Sequence, residues 1–227
     1  MSVLPSPPVR LRPGQVSILL LGRVVVGDIA VTLADLGQRG ILTVGPDGDD
    51  WLLTAAGTGT LAYERRLLAA LGPSPVRLSA LVPGFGAHMD KARTGIVRSV
   101  VREGWVRRLS HGRRTPEGEA LRTEVQELRR SLRRAMPGHR RDILEGPLLP
   151  YALRLGLIQG DGVPLAAFAH ACARTLITEP GWTPPASQRP PGGVPWPGGL
   201  DTPRGTDLWT DIGYAGHSSA DGHHFGW

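Results

Sequence analysis

The chain has little cysteine, few aromatic residues and no long apolar run. Cys172 is the single cysteine among 227 residues, which excludes an intrachain disulfide and any zinc finger built on cysteines. Aromatic residues make up 5% of the chain, and four of the six tryptophans follow residue 180. The core is therefore expected to consist of Leu, Val, Ile and Ala. The apolar run 18–21 is too short for a signal peptide or a membrane span, which predicts a soluble, cytoplasmic chain.

Positive charge is concentrated in one part of the sequence. The formal net charge is +6, and residues 91–141 hold 15 basic residues against five acidic ones. The rest of the chain is then net negative, by 6 − 10 = −4. A local excess of this size attracts nucleic acid, anionic lipid or an acidic protein.

An internal repeat is the strongest architectural signal. Arg-Gly-Ile-Leu begins at Arg39, and Glu-Gly-Trp-Val begins at Glu103, 64 positions later. Each ends a stretch with helical periodicity and is followed by a polar loop and Thr-x-x-Gly, at Thr54 and at Thr115. Helix, Gly turn, strand, loop and strand is the order of a winged helix, so the repeat predicts two such units in tandem.

The predicted fold is mainly α with small β-hairpins, built as tandem winged-helix units with C-terminal helices and a disordered tail. Asp28 is expected to cap the helix 29–38, and 76–82 is expected to be a short helix. Pro137 and Gly138 are expected to end the long helix that begins after Thr115. Seven apolar residues are expected in the core: Leu33, Leu36, Val97, Val100, Leu121, Val125 and Leu128. The predicted segments are a disordered arm 1–12, unit 1 at 13–60, unit 2 at 61–136, a helical extension 137–177 and a Pro/Gly/Trp-rich tail 178–227.

Several of these motifs resemble a family. They are the stretch 28–36 followed by Arg39 and Gly40, the stretch 63–65, Thr-Pro-Glu-Gly at 115–118, and Leu-Pro-Tyr-Ala-Leu-Arg-Leu-Gly at 149–156. Residues 13–160 are similar to the soluble C-terminal region of an uncharacterised bacterial predicted-membrane-protein family of the YciQ-like kind. The resemblance implies tandem winged-helix-like units and no established activity. Typical members carry membrane spans before this region, and none precedes it here.

A basic surface on the second unit is one candidate binding site. Its residues are expected on the helix in the recognition position and on the second wing: Lys91, Arg93, Arg98, Arg102, Arg113 and Arg114. DNA would then be bound through residues 91–141. The first wing carries Asp47, Asp49 and Asp50, and acidic wings repel phosphate, so the first unit is not expected to bind DNA.

The tail offers a second candidate site. Isolated aromatic side chains in a Pro/Gly background often bind grooves on partner proteins; here they are Trp182, Trp196, Trp209, Tyr214, Phe225 and Trp227. An unselected low-complexity extension is the alternative. A third reading makes residues 213–227 the segment that a peptide-modifying enzyme acts on.

The last candidate is a metal site, set against the absence of catalytic motifs. His217, Asp221, His223 and His224 would supply three imidazoles and a carboxylate, although closing a site in a flexible tail costs ordering entropy. No nucleophile–base arrangement, phosphate loop or dinucleotide motif is recognisable, so neither enzyme activity nor a cofactor is predicted. The leading hypothesis is a non-enzymatic protein- or peptide-binding adaptor. The alternatives are a DNA-binding regulator and a carrier for a peptide-modifying enzyme, and the sequence leaves the oligomeric state open.

Overall fold

The computed structural model of the protein describes residues 4–107, 113–158 and 162–179. The described chain is mainly helical with a small antiparallel sheet of three strands, ordered β1-β2-β3. The elements in chain order are α1 (Val16–Leu21), α2 (Val26–Gln38), β1 (Leu42–Asp47), β2 (Asp50–Ala55), α3 (Ala62–Leu71), β3 (Val76–Arg77), α4 (Gly86–Arg102), α5 (Pro116–Glu145), α6 (Leu149–Arg154) and α7 (Pro164–Ile177). Short 3-10 turns at Pro13–Gln15 and Ser79–Leu81 precede α1 and α4.

The first helix–hairpin unit forms as the repeat predicts. Helix α2 ends at Gln38, and Gly40, whose φ is +70°, then allows the left-handed turn that leads the chain into β1. The amide of Ile41 donates to the carbonyl of Leu36 across this turn. Strands β1 and β2 then pair in register from Leu42 with Ala55 to Asp47 with Asp50. The predicted hairpin is confirmed.

The predicted short helix at 76–82 is wrong at its beginning. Val76 and Arg77 form β3, which pairs with Leu53 and Leu52 of β2, and only Ser79–Leu81 makes a single 3-10 turn. Without β3, the backbone amides and carbonyls on the outer edge of β2 would be unpaired. Hydrogen bonding to this edge outweighs the weak preference of residues 76 and 77 for helix.

The second hairpin is reduced to one bridge within the described residues. Val106 pairs with Arg114, and the amide of Arg107 donates to the carbonyl of Arg113. The predicted second wing tip lies mostly in 108–112, outside the described residues. Strand β3 pairs with β2, so it adds a third strand to the first hairpin.

Helix α5 is longer than predicted. Thr115 caps its start, with Oγ1 accepting from the amide of Gly118 at 3.1 Å. The helix passes Pro137 and continues to Glu145, with a kink at His139, where φ is −129° and ψ is 25°. Proline bent the helix rather than ending it, since Ile143 and Leu144 beyond the kink are buried. The predicted boundary at 136/137 is therefore a kink, and α6 is a separate short helix.

Helix α2 lies at the centre of the core. It packs against α7, α6 and the first 3-10 turn, and its apolar residues Ile29, Leu33 and Leu36 are fully buried. Six of the seven predicted core residues are buried; Val97 is wrong, with 39% of its surface exposed. Val97 lies on the outer face of α4, whereas its neighbours Ile96 and Val100 point inward.

The described part of the predicted disordered arm packs on the core. Leu11 is 1% exposed, and its carbonyl accepts a hydrogen bond from the hydroxyl of Tyr151. The arm is therefore held against the core at Leu11, next to the first 3-10 turn. Within the described ranges, the structure contains no helix that is both long and apolar enough to cross a membrane.

Candidate functional site: an arginine groove between α3 and α4

Helices α3 and α4 pack closely because of one glycine. A Cβ at Gly95 would lie 2.8 Å from the Cβ of Tyr63, closer than side chains approach each other. The absent side chain therefore allows the two helices to meet at this point. The same position lies 3.8 Å from Nη1 of Arg66, so the guanidinium of that residue lies beside the contact.

A groove of about 200 Å³ opens between the two helices. Its lining residues come only from α3 and α4: Ala62, Tyr63, Arg66, Gly95, Arg98, Ser99 and Arg102. We call it the arginine groove, because three of the seven residues are arginines and none is acidic. Its base consists of small side chains and the Tyr63 side chain.

The three arginines of the groove have no counter-charge in the described part of the chain. Arg66, Arg98 and Arg102 are exposed, and none forms an ion pair with a residue in 4–107, 113–158 or 162–179. Arg98 and Arg102 are four residues apart, so they project from the same face of α4. Lys91 lies seven positions before Arg98, which extends the basic stripe by two helical turns.

The hydroxyl of Ser99 in the groove is already bound within the protein. It donates to the carbonyl of Ile96 and accepts from the side-chain Nε2 of Gln15 at 2.9 Å. Ser99 thus ties α4 to the first 3-10 turn. The exposed guanidinium groups can donate to a ligand, and they match the geometry of carboxylate or phosphate groups.

The structure separates the predicted nucleic-acid residues into two groups. Lys91, Arg98 and Arg102 share the stripe along the groove, and Arg113 is exposed beside the bridge. Arg93 projects from another side of α4, where it pairs with Asp90 at 3.1 Å.

Arg114 has a structural role instead of facing a ligand. Its guanidinium donates to the carbonyls of Leu19 and Leu20 at the end of α1, and it pairs with Glu119 at 2.9 Å. These contacts join α1 to the start of α5. Arg114 therefore does not belong to the candidate interface, contrary to the prediction.

Arg66 is a groove residue that the sequence did not predict. Its position before Leu67 in an ordinary amphipathic helix carries no signal of a site, because the groove exists only once α3 lies against Gly95. The one sequence feature that indicates a close contact between two helices here is Gly95, a glycine within a helix and beside inward-facing apolar residues.

The acidic first wing is partly neutralised by its own surroundings. Asp47 pairs with Arg77 at 2.6 Å, and Asp50 accepts hydrogen bonds from the amide and hydroxyl of Ser79. Slight desolvation of Asp50 favours a higher pKa for its carboxyl group. The hydrogen bonds from Ser79 and from the Trp51 amide outweigh this effect and lower the pKa below its ordinary value. Repulsion of anions by this wing is thus weaker than the three aspartates suggest.

A second cavity, of about 360 Å³, lies between the N-terminal arm, the end of α2 and the loop before α6. Its charged groups are largely paired: Arg39 binds Asp35 at 2.9 Å and the buried Glu64 at 2.8 Å. Burial raises the pKa of Asp35, and Arg39 opposes that rise. This cluster joins α2 to α3, which accounts for these charged groups without a ligand.

The predicted metal ligands and tail aromatics lie outside the described residues, as does the segment of the carrier hypothesis. In the ranges that the structure describes, no group of three or more His, Cys, Asp or Glu residues is placed to hold a metal ion. Cys172 is fully buried in α7, and burial raises the pKa of its thiol far above the ordinary value. A buried, protonated thiol is unreactive.

Comparison with known proteins identifies no relative. Models of protein families give no match to the chain, and neither do curated proteins or solved structures.

Proposed function

We propose that this protein is a non-enzymatic binding module that takes an acidic segment of a partner protein into the arginine groove. The observation that carries the proposal is the set of three exposed arginines, unpaired with any acidic residue that the structure describes, around a base of small side chains. Arginine pairs with carboxylates through two parallel hydrogen bonds, so a groove of this kind favours an acidic peptide over a neutral one.

The size of the groove supports a peptide segment as its ligand. Pockets for drug-sized ligands measure roughly 300–1,000 Å³, whereas this groove measures about 200 Å³. It suits one side chain with its flanking carboxylates. The apolar edges of Ala62 and Tyr63 would contact the body of that side chain, while the arginines bind the charges.

The order of elements supports a winged-helix-like reading of the second unit. Helix α3, the short β3, α4 and the bridge between Val106 and Arg114 follow the order of such a unit, and the YciQ-like resemblance implies the same. In this reading α4 is the recognition helix, and the arginine groove lies along its α3 side.

Fluorescence anisotropy with two labelled pentapeptides tests the proposal. One places a tryptophan between four glutamates, and the other places it between four glutamines. The full chain is expected to bind the acidic peptide saturably and at least tenfold more tightly than the neutral one. Higher salt should weaken the binding.

A matched pair of variants identifies the site. Arg98→Glu with Arg102→Glu is expected to lower the affinity for the acidic peptide at least tenfold. Arg133→Glu with Arg134→Glu changes the net charge equally at exposed positions of α5 and should leave it within twofold. Equal losses in both variants, or equal binding of both peptides, would overturn the proposal.

Duplex DNA is the second candidate ligand, favoured by the stripe of Lys91, Arg98 and Arg102 along α4. A 20-base-pair duplex titrated at two salt concentrations distinguishes it. Micromolar or tighter binding with a steep salt dependence, lost in the Arg98/Arg102 variant alone, would favour a DNA-binding regulator. We expect binding weaker than micromolar, because a duplex is held by contacts to many backbone phosphates, and this stripe supplies only three cations for them.

A further inference from the structure

A buried glutamate fixes the end of the described chain beside α4. Glu179 is 6% exposed, and its Oε1 accepts a hydrogen bond from the amide of Gly84 at 2.8 Å. A Cβ at Gly86 would lie 3.0 Å from Cγ of Glu179, so the side chain packs on the first residue of α4. The chain that follows residue 179 therefore starts next to the helix that forms one wall of the arginine groove.

The sequence after this anchor contains an acidic, aromatic segment. From 205 to 227 there are three aspartates and no lysine or arginine. Residues 207–214 read Asp-Leu-Trp-Thr-Asp-Ile-Gly-Tyr, with one carboxylate on each side of Trp209. This is the chemistry that the groove is proposed to bind: carboxylates for the arginines, and an aromatic ring that can stack on a guanidinium.

The connecting chain is long enough to reach. Helix α4 has 17 residues and is about 25 Å long at 1.5 Å per residue. Residues 179 and 207 are 28 positions apart. A Gly/Ser-rich chain of that length would span about 30 Å on average, and prolines lengthen the span. The segment can therefore meet any point along the groove.

We propose that residues 207–214 occupy the arginine groove of the same chain and compete with the acidic partner. The inference rests on the proposed function, since it assigns a ligand within the chain to the same site. A tethered ligand has an effective concentration of about 1 mM. If its intrinsic Kd is about 0.1 mM, it lowers the apparent affinity of a competing peptide about tenfold.

Competition by the acidic pentapeptide tests the inference in the full chain. Asp207→Asn with Asp211→Asn is expected to raise the affinity for this peptide about tenfold. Asp201→Asn with Asp221→Asn removes the same charge outside the segment and should have no effect. Equal affinity in all three chains overturns the inference but leaves the proposed function intact, whereas no binding to any of them overturns both.

A paramagnetic label locates the segment directly. Cys172 is buried, so a cysteine introduced at the exposed Ala69 of α3 can be labelled selectively. The nitroxide is expected to broaden the NMR signals of residues 207–214 in the full chain. The same label at the exposed Gly138, about 30 Å along α5 from the point where Gly118 contacts Trp105, should not broaden them. Equal broadening from both positions, or none from Ala69→Cys, would overturn the inference.

Discussion

Nε of Arg154 donates a 2.5 Å hydrogen bond to Oδ1 of Asp28, and both side chains are almost completely buried. Ser17 donates to the same carboxylate, and the amide of Val25 donates to its other oxygen at 2.8 Å. The pair joins the start of α2 to α6 across 126 residues. Burial raises the pKa of Asp28, and the guanidinium of Arg154 opposes that rise.

Arg154→Met is expected to destabilise the protein by about 3–5 kcal/mol at pH 7, because it leaves a buried carboxylate without its counter-charge. Urea unfolding followed by circular dichroism measures the loss. The double variant Asp28→Leu with Arg154→Met should recover much of the stability, since no charge remains buried. Unfolding of the single variant at the wild-type urea midpoint would contradict the structural role of the pair.

The stability of Arg154→Met should also depend on pH. Its Asp28 pKa is expected to rise further, so the folded chain holds the proton more tightly than the unfolded chain does. The stability that comes from protonating Asp28 is fully present below the pKa that this residue has in the unfolded chain. It is lost as the pH rises through the higher pKa that the residue has in the folded chain. The difference from wild type should therefore shrink between pH 7 and pH 4.5. A constant difference over that range would show that Asp28 does not titrate.

Gly95→Ala tests the contact between α3 and α4. Alanine favours helix over glycine by about 1 kcal/mol, but its Cβ would lie 2.8 Å from that of Tyr63. We expect a net loss of about 1–3 kcal/mol from overpacking. Gly138→Ala is the control, because nothing lies within 4 Å of its Cβ position in α5. Equal effects of both substitutions on the thermal midpoint would rule out the close contact.

Neighbouring arginines should behave differently on truncation. Arg114→Ala removes the donors to the carbonyls of Leu19 and Leu20, so we expect a loss of about 1.5–3 kcal/mol. Arg113→Ala removes an exposed side chain and should change the free energy of unfolding by less than about 0.5 kcal/mol. Chemical denaturation of the two variants gives the comparison, and an equal loss would assign both residues the same role.

The thiol of Cys172 is expected to be unreactive in the native protein. Burial raises its pKa, so the reactive thiolate is scarce even at pH 9. A thiol reagent with a coloured product should report almost no reaction until urea unfolds the chain. Rapid labelling of Cys172 under native conditions would place it at the surface, while Ala69→Cys serves as the accessible control.

Local patterns predicted the elements that local interactions determine. Gly40 and the turn residues 45–50 were sufficient for the first hairpin, and Thr115 for the start of α5. The pairing of β3 with β2 was not predictable, because it joins residues about 24 positions apart through backbone groups alone. Asp28 was expected to cap a helix over 29–38, but α2 begins at Val26, and Asp28 lies in its first turn, where it accepts a hydrogen bond from the amide of Val25. Its pairing with Arg154 was not predictable, because the two residues are 126 positions apart. Val97 was misplaced because three apolar residues within one turn left the inward face ambiguous.

The candidate site was predictable only in part. Arg98 and Arg102 followed from the basic stripe of α4, whereas Arg66 required knowledge that α3 lies against Gly95. Arg114 was assigned to the surface by its neighbours in sequence, but its guanidinium binds the end of α1.

An NMR titration of the arginine side chains tests directly whether the arginine groove binds an acidic peptide. The full chain with Asp207→Asn and Asp211→Asn is titrated with the acidic pentapeptide, and the Nε–Hε signals of the arginines are followed. We expect saturable shifts for Arg66, Arg98 and Arg102 and none for Arg133 and Arg134. Uniform small shifts of all arginines, or unchanged groove signals at saturating peptide, would contradict a binding site in the arginine groove.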